Sequence, residues 1–136
     1  MDLLVNIDVS DLDPAVQFYT SAFDLKVSRR FGADGVELSG GSAPIYLLVK
    51  AAGSAASPRT DQVRDYRRHW TPVHLDVVVQ DVESAVQRAL DAGAILEKPI
   101  RSSSWGKLAL MADPFGNGFC LVQFVGKGYD EIATPP

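Results

Sequence analysis

From Leu3 to Val9 the chain alternates between two kinds of position. Val5, Ile7 and Val9 are all apolar, whereas Leu4, Asn6 and Asp8 are mixed, which predicts a strand with one buried face. The period then lengthens: Ala15, Phe18, Tyr19 and Ala22 recur at three- and four-residue spacing and predict a helix with one apolar face. Asp11 or Asp13 can cap that helix, and Pro14 is tolerated in its first turn. Leu25–Phe31, Val36–Leu38 and Ile45–Val49 read as three further strands, the last two separated by the turn-forming pair Gly40-Gly41. The first half is therefore β-α-β-β-β.

The same order returns later. Val73–Val79 reads as a strand, Asp81 opens a helix running to about Ala92, and Gly93 stands where a helix C-terminus favours glycine. Ile95–Ile100, Lys107–Met111 and Phe119–Val125 are the remaining strands, with a turn at Asp113-Pro114-Phe115-Gly116-Asn117-Gly118 between the last two. A shift of seventy positions lays Asp11-Leu12-Asp13-Pro14-Ala15-Val16-Gln17 on Asp81-Val82-Glu83-Ser84-Ala85-Val86-Gln87, and Val5–Val9 on Leu75–Val79. The fold expectation is α+β: two βαβββ modules, residues 1–51 and 72–126, whose curved mixed sheets form a cup-shaped cavity within one structural domain. Residues 52–71 form the linker, with a short helix expected at 61–68, and residues 127–136 a loose tail.

Composition narrows the function classes. A net charge of −4 argues against nucleic acid as a partner. No apolar run approaches the roughly 20 residues that span a bilayer, and no basic, signal-like segment follows Met1, so neither a membrane nor export is expected. The single cysteine, Cys120, excludes an internal disulfide and leads to a cytoplasmic expectation.

Four segments in this order carry a family resemblance: Val9-Ser10-Asp11-Leu12-Asp13 leading to Phe18-Tyr19; His74-Leu75-Asp76-Val77-Val78-Val79-Gln80-Asp81; Trp105-Gly106; and Asp113-Pro114-Phe115-Gly116-Asn117. The doubled module resembles the vicinal oxygen chelate superfamily, which includes glyoxalase I, bleomycin-resistance proteins, fosfomycin-resistance enzymes and extradiol dioxygenases. In metal-dependent members of that superfamily the ligands come from the first and last strand of each module. The resemblance places those positions at Leu4, Tyr46, His74 and Cys120. A hard divalent ion wants oxygen donors and a catalytic site about three protein groups, so this set predicts no resident metal; a divalent ion at His74 is the alternative.

The alternation turns Asn6 and Asp76, equivalent across the repeat, into the cavity. It also puts His74 and Asp76 on one strand face, two residues apart, where a base and the group that orients it could sit. Leu4, Asn6, Phe31, Tyr46, Trp105 and Cys120 complete the candidate ligand-binding set, with His74 and Asp76 the candidate catalytic pair. The basic linker residues Arg59, Arg64, Arg67 and Arg68 read either as a solvated face or as a flap over an anionic ligand. Three functions follow: a metal-independent cup for a small, possibly aromatic molecule; a metal-dependent lyase or dioxygenase of the glyoxalase type; and a metal-free acid–base enzyme using His74 and Asp76. A homodimer is expected, because paired modules leave sheet edges to cover.

Overall fold

The computed structural model describes residues 1–136. In the first module β1 (Val5–Val9), α1 (Leu12–Phe23), β2 (Lys26–Phe31), β3 (Gly35–Ser39) and β4 (Ile45–Val49) build a sheet of order β1-β4-β3-β2. In the second, β5 (Leu75–Val78), α2 (Val82–Asp91), β6 (Ile95–Leu96), β7 (Arg101–Ser103), β8 (Gly106–Ala112) and β9 (Gly118–Phe124) build a sheet of order β5-β9-β8-β6, with β7 also on β8. β1 and β5 run parallel to β4 and β9, and every other pairing is antiparallel.

The local causes are those the pattern implies. Both helices begin at an aspartate in extended backbone: Asp11 accepts from the amide of Asp13, and Asp81 from that of Ser84. Gly93, at φ +110°, turns the chain out of α2 where a side chain would be strained. Each helix packs on its own sheet, the two helices pack on each other, and one core of twenty buried residues runs through both modules. Val9, Phe18, Leu38 and Leu47 anchor it from the first module, and Val82, Met111 and Leu121 from the second. The seventy-residue repeat is thus a structural one. Asn6 pairs with Tyr46 as Asp76 pairs with Cys120.

Three expectations change. The helix at 61–68 does not form; the linker doubles back through an Ala55–Val63 bridge, with Gly53 and Ser54 bonded to Arg64. Its side chains are spent on tertiary ion pairs instead. The strand expected at 95–100 shortens to β6, because Pro99 has no N–H for the ladder, and β7 follows it at Arg101–Ser103, so the second module has one strand more than βαβββ. The tail is anchored: a 3-10 turn at Gly128–Glu131 brings Tyr129 against Trp105 and Phe124, with ring centroids 4.9 and 4.8 Å apart. No helix is long and apolar enough to cross a membrane.

Phe18 is 2% exposed and packs edge-on against Tyr19 and Phe23. Replacement by alanine is expected to cost about 3–5 kcal/mol in chemical denaturation, because the close-packed interface between helix and sheet cannot collapse around the void.

Candidate functional site

β1 and β5 are the end strands of their sheets, and they do not pair with each other. Between them lies a cleft of about 1110 Å³, lined by both strands, the linker, Tyr19 and Phe23 from α1, and Asp113, Asn117 and Phe119 around the turn before β9. Sixteen of its thirty lining residues are hydrophobic, which makes it an apolar site with a few directed polar groups.

The linker is tied across it. The Arg64 Nε donates to Asp8 Oδ2 at 2.6 Å, and the same guanidinium holds the Ala55 carbonyl. Arg68 pairs with Glu97 and lies over Gly118, and the Tyr66 hydroxyl donates to the Lys50 carbonyl. Arg64 and Arg68 therefore belong to neither a solvated face nor a free flap. Arg67 pairs with its neighbour Asp65 and stays exposed.

Asp113 organises the deep end. Its Oδ1 accepts the amides of Phe115 and Asn117, and its Oδ2 accepts the Tyr19 hydroxyl at 2.6 Å and the Asn117 Nδ2 at 2.9 Å. Burial, and next the adjacent Asp113 charge, push the Tyr19 hydroxyl well above its ordinary value, so it stays protonated and donating. With its amide fixed this way, Asn117 turns Oδ1 to His69 Nε2, while His69 Nδ1 faces the Arg67 carbonyl. Both ring nitrogens meet acceptors; a neutral ring satisfies one at a time and an imidazolium both. Read from sequence, this aspartate is turn chemistry alone. Its reach to α1 crosses ninety-four positions and leaves no local signal.

The candidate residues divide. Asn6, His74 and Asp76 line the cleft. His74 Nε2 stands 3.1 Å from Asp76 Oδ1, and Cys120, buried beside Asp76, completes a trio whose donor atoms all lie within 4.8 Å. Burial, then the charge of Asp76 and a hydrogen bond to it, push the Cys120 thiol up to about 11. A thiol pushed up in this way carries little of the thiolate that a nucleophile needs near neutral pH. Leu4, Phe31, Tyr46, Cys120 and Trp105 lie outside the cleft lining. Trp105 packs at the far end of β9 on Phe124 and Tyr129. The Tyr46 hydroxyl donates to Glu37 Oε2 at 2.6 Å, beside Arg29 and Ser28 on the same carboxylate, and its ring stacks on Phe31 with centroids 6.1 Å apart. The sequence reading missed Glu37. Flanked by Val36 and Leu38 inside a strand, it shows no sign of the three donors that collect on it. Trp70, read from sequence as an aromatic near a strand end that could form a flat ligand wall, lies 81% exposed at the cleft rim.

This donor set does not fit a metal held between the two walls. Leu4 has no donor atom, and the Tyr46 hydroxyl is committed to Glu37. His74, Asp76 and Cys120 all belong to the second wall.

Two outcomes test these environments. Hydrogen bonds from Arg29, Tyr46 and Ser28 lower Glu37 from an ordinary 4.5 to about 2. Its folded-state value lies below the unfolded one. The stabilisation is therefore complete above about pH 4.5 and is lost as the pH falls toward about 2; Glu37→Gln should remove that part of the acid slope measured by denaturation. Cys120 should resist iodoacetamide at pH 7.5 in the folded protein, and Asp76→Asn, which removes the neighbouring charge, should speed its alkylation and lower the pH midpoint of the reaction. A fast-reacting native thiol would contradict the burial described.

The comparisons with known proteins agree with the geometry. A family model described as "Glyoxalase-like domain" matches residues 4–122. An uncharacterized protein of Mycobacterium tuberculosis (strain ATCC 25618 / H37Rv) is 31% identical over 135 residues, covering 91% of this chain and 75% of its own; its counterpart in Mycobacterium bovis is equally similar, with 84% of its length covered. Among solved structures, a glyoxalase/bleomycin resistance protein/dioxygenase family enzyme from Burkholderia phytofirmans PsJN superposes with a TM-score of 0.73 at 22% identity, over 92% of this chain and 100% of that one. A lactoylglutathione lyase from Agrobacterium tumefaciens gives 0.63 at 16% identity, over 90% and 92%. At these identities the structures show a shared fold, and it is the family model, running from the first wall through the second, that decides membership: the chain belongs to the glyoxalase-like domain family of the vicinal oxygen chelate superfamily.

Proposed function

We propose that this protein binds a small, partly planar apolar molecule in the cleft between β1 and β5, without a metal, in the manner of a bleomycin-resistance-type cup. The observation that carries the reading is the cleft itself: about 1110 Å³, mostly apolar, with the Trp70 ring exposed at its rim and the aromatic rings of Tyr19, Phe23 and Phe119 within. Flat apolar walls recognise flat apolar ligands, and His74 and Asp76 supply orientation at the polar edge. Of the first wall's donors, Asp8 is held by Arg64 and only the Asn6 amide stands free of such a pair, which supports metal independence. A homodimer belongs to the same proposal, since β2 is exposed along its whole length and is an uncovered sheet edge.

A second reading rests on the trio His74, Asp76 and Cys120. Three donor types within 4.8 Å would suit a soft ion once the thiol is deprotonated, and this is the form that a metal-dependent lyase or dioxygenase would take here. The 3.1 Å approach of His74 to Asp76 supports a metal-free acid–base enzyme instead.

Titration with 2-naphthol, followed by Trp fluorescence and thermal shift, separates them. Binding without product, weakened about tenfold by Trp70→Ala and measurably by His74→Ala, supports the cup. Cobalt(II) absorption in the thiolate-to-metal region on titration of the apoprotein, lost in Cys120→Ser, would favour the second reading. No response to 2-naphthol, or one that both variants leave unchanged, would remove the cleft as the site.

A further inference from the structure

The walls of the cleft are strand edges rather than strand faces. Consecutive residues line it on both sides, Val5 to Asp8 from β1 and, after His74, Leu75 to Val78 from β5, so each strand presents its backbone as well as its side chains. The ladders fix which backbone groups these are. Val5 donates to the Pro44 carbonyl on the β4 side, and Val79 to Val122 on the β9 side. Along a strand, successive residues turn their N–H and C=O to opposite edges. Odd-numbered residues therefore serve the existing sheets, and Asn6, Asp8, Asp76 and Val78 turn theirs into the gap. No opposing strand, loop or turn meets them there. Almost nowhere do Cα atoms of β1 and β5 come within 8 Å of each other. Paired strands lie about 4.8 Å apart, so two strands flanking a third are separated by about twice that distance.

We propose that the cleft takes an extended peptide or peptide-like polyamide of four to five residues, inserted as a strand between β1 and β5. This deepens the proposed binding function and rests on it. The guest's amides would pair with the inward-facing groups of Asn6 and Asp8 on one side and of Asp76 and Val78 on the other, joining the two sheets into one. Its side chains would alternate. One set enters the apolar layer of Tyr19, Phe23 and Phe119; the other meets the polar mouth, where Arg64 and Arg67 match Asp8 and Asp65 and leave Asp76, with only His74 beside it, as the carboxylate without an arginine partner. The charge balance selects basic over acidic residues at those positions. A purely aromatic guest would fill the apolar layer and leave both rows of backbone groups to water.

The probe is acetyl-Val-Lys-Phe-Lys-Val-amide, with three controls: the same peptide N-methylated at both lysines, the same with lysines replaced by glutamates, and 2-naphthol. Calorimetry should show the parent peptide binding at least tenfold more tightly than the N-methylated and the glutamate peptides. Hydrogen exchange followed by NMR should slow at least tenfold at the amides of Asn6, Asp8, Asp76 and Val78, with little change at Ile7 and Val77, already paired in their ladders. If the N-methylated peptide binds as well as the parent, or those four amides exchange unchanged in the complex, strand insertion is wrong. Binding of 2-naphthol but not of the parent peptide overturns the polyamide class and leaves the cup standing. If neither binds, both readings fall.

Discussion

The carboxylate of Asp113 is the interaction on which the arrangement of this molecule turns. It is 4% exposed and accepts four hydrogen bonds, two from its own turn's backbone, one from Asn117 and one from Tyr19 in the other module. A buried carboxylate left short of donors would be costly, and this one has no spare capacity. Through Tyr19 it locks the turn before β9 to α1. Through Asn117 it fixes the amide that meets His69 and so seats the linker. One anion thus sets the relation of two modules and the strap between them, and with it the shape of the cleft. The backbone adds its own constraint, because a Cβ on Gly116, at φ +84°, would overlap the Arg67 carbonyl.

The two walls that this hub brings together have diverged chemically while keeping their register. Position for position, Asn6 and Tyr46 answer Asp76 and Cys120. On the first sheet the tyrosine is drawn away from the cleft by Glu37, whose carboxylate collects Arg29, Ser28 and Tyr46. On the second the thiol stays neutral beside Asp76, which faces the cleft with His74. The pseudo-symmetry of the backbone therefore does not extend to the chemistry. The cleft is polar along the β5 side and at the Asp8–Arg64 pair, and apolar beneath, where α1 and Phe119 supply rings.

The linker shows why local reading has limits. The segment 61–68 carries polar and basic residues that suit a surface helix, and no residue within it forbids one. It is extended because Arg64 and Arg68 each find a carboxylate on a different module, Asp8 and Glu97, and two fixed anchor points set the path of the chain between them. Tertiary ion pairs and backbone bonds to Gly53 and Ser54 outweigh a weak local preference. Trp105 illustrates the reverse error. An aromatic beside a glycine at a strand end suggested a cavity wall, but the tail folds back and gives it Tyr129 and Phe124 as partners.

What the sequence determined by itself was periodic and repeated. Alternation along β1 and β5, the helical spacing in α1, the capping aspartates and the seventy-residue offset were enough for two related modules, for which strand faces are apolar, and for the equivalence of Asn6 with Asp76. These depend on interactions a few residues apart, or on a comparison of the chain with itself. Tertiary structure alone decided that β1 and β5 stand apart rather than pair, that Asp113 reaches Tyr19, that Glu37 gathers three donors, and that His74, Asp76 and Cys120 converge. Each of these joins groups far apart along the chain through the directed geometry of hydrogen bonds and charges, which becomes defined only once the core has packed and brought the partners within reach.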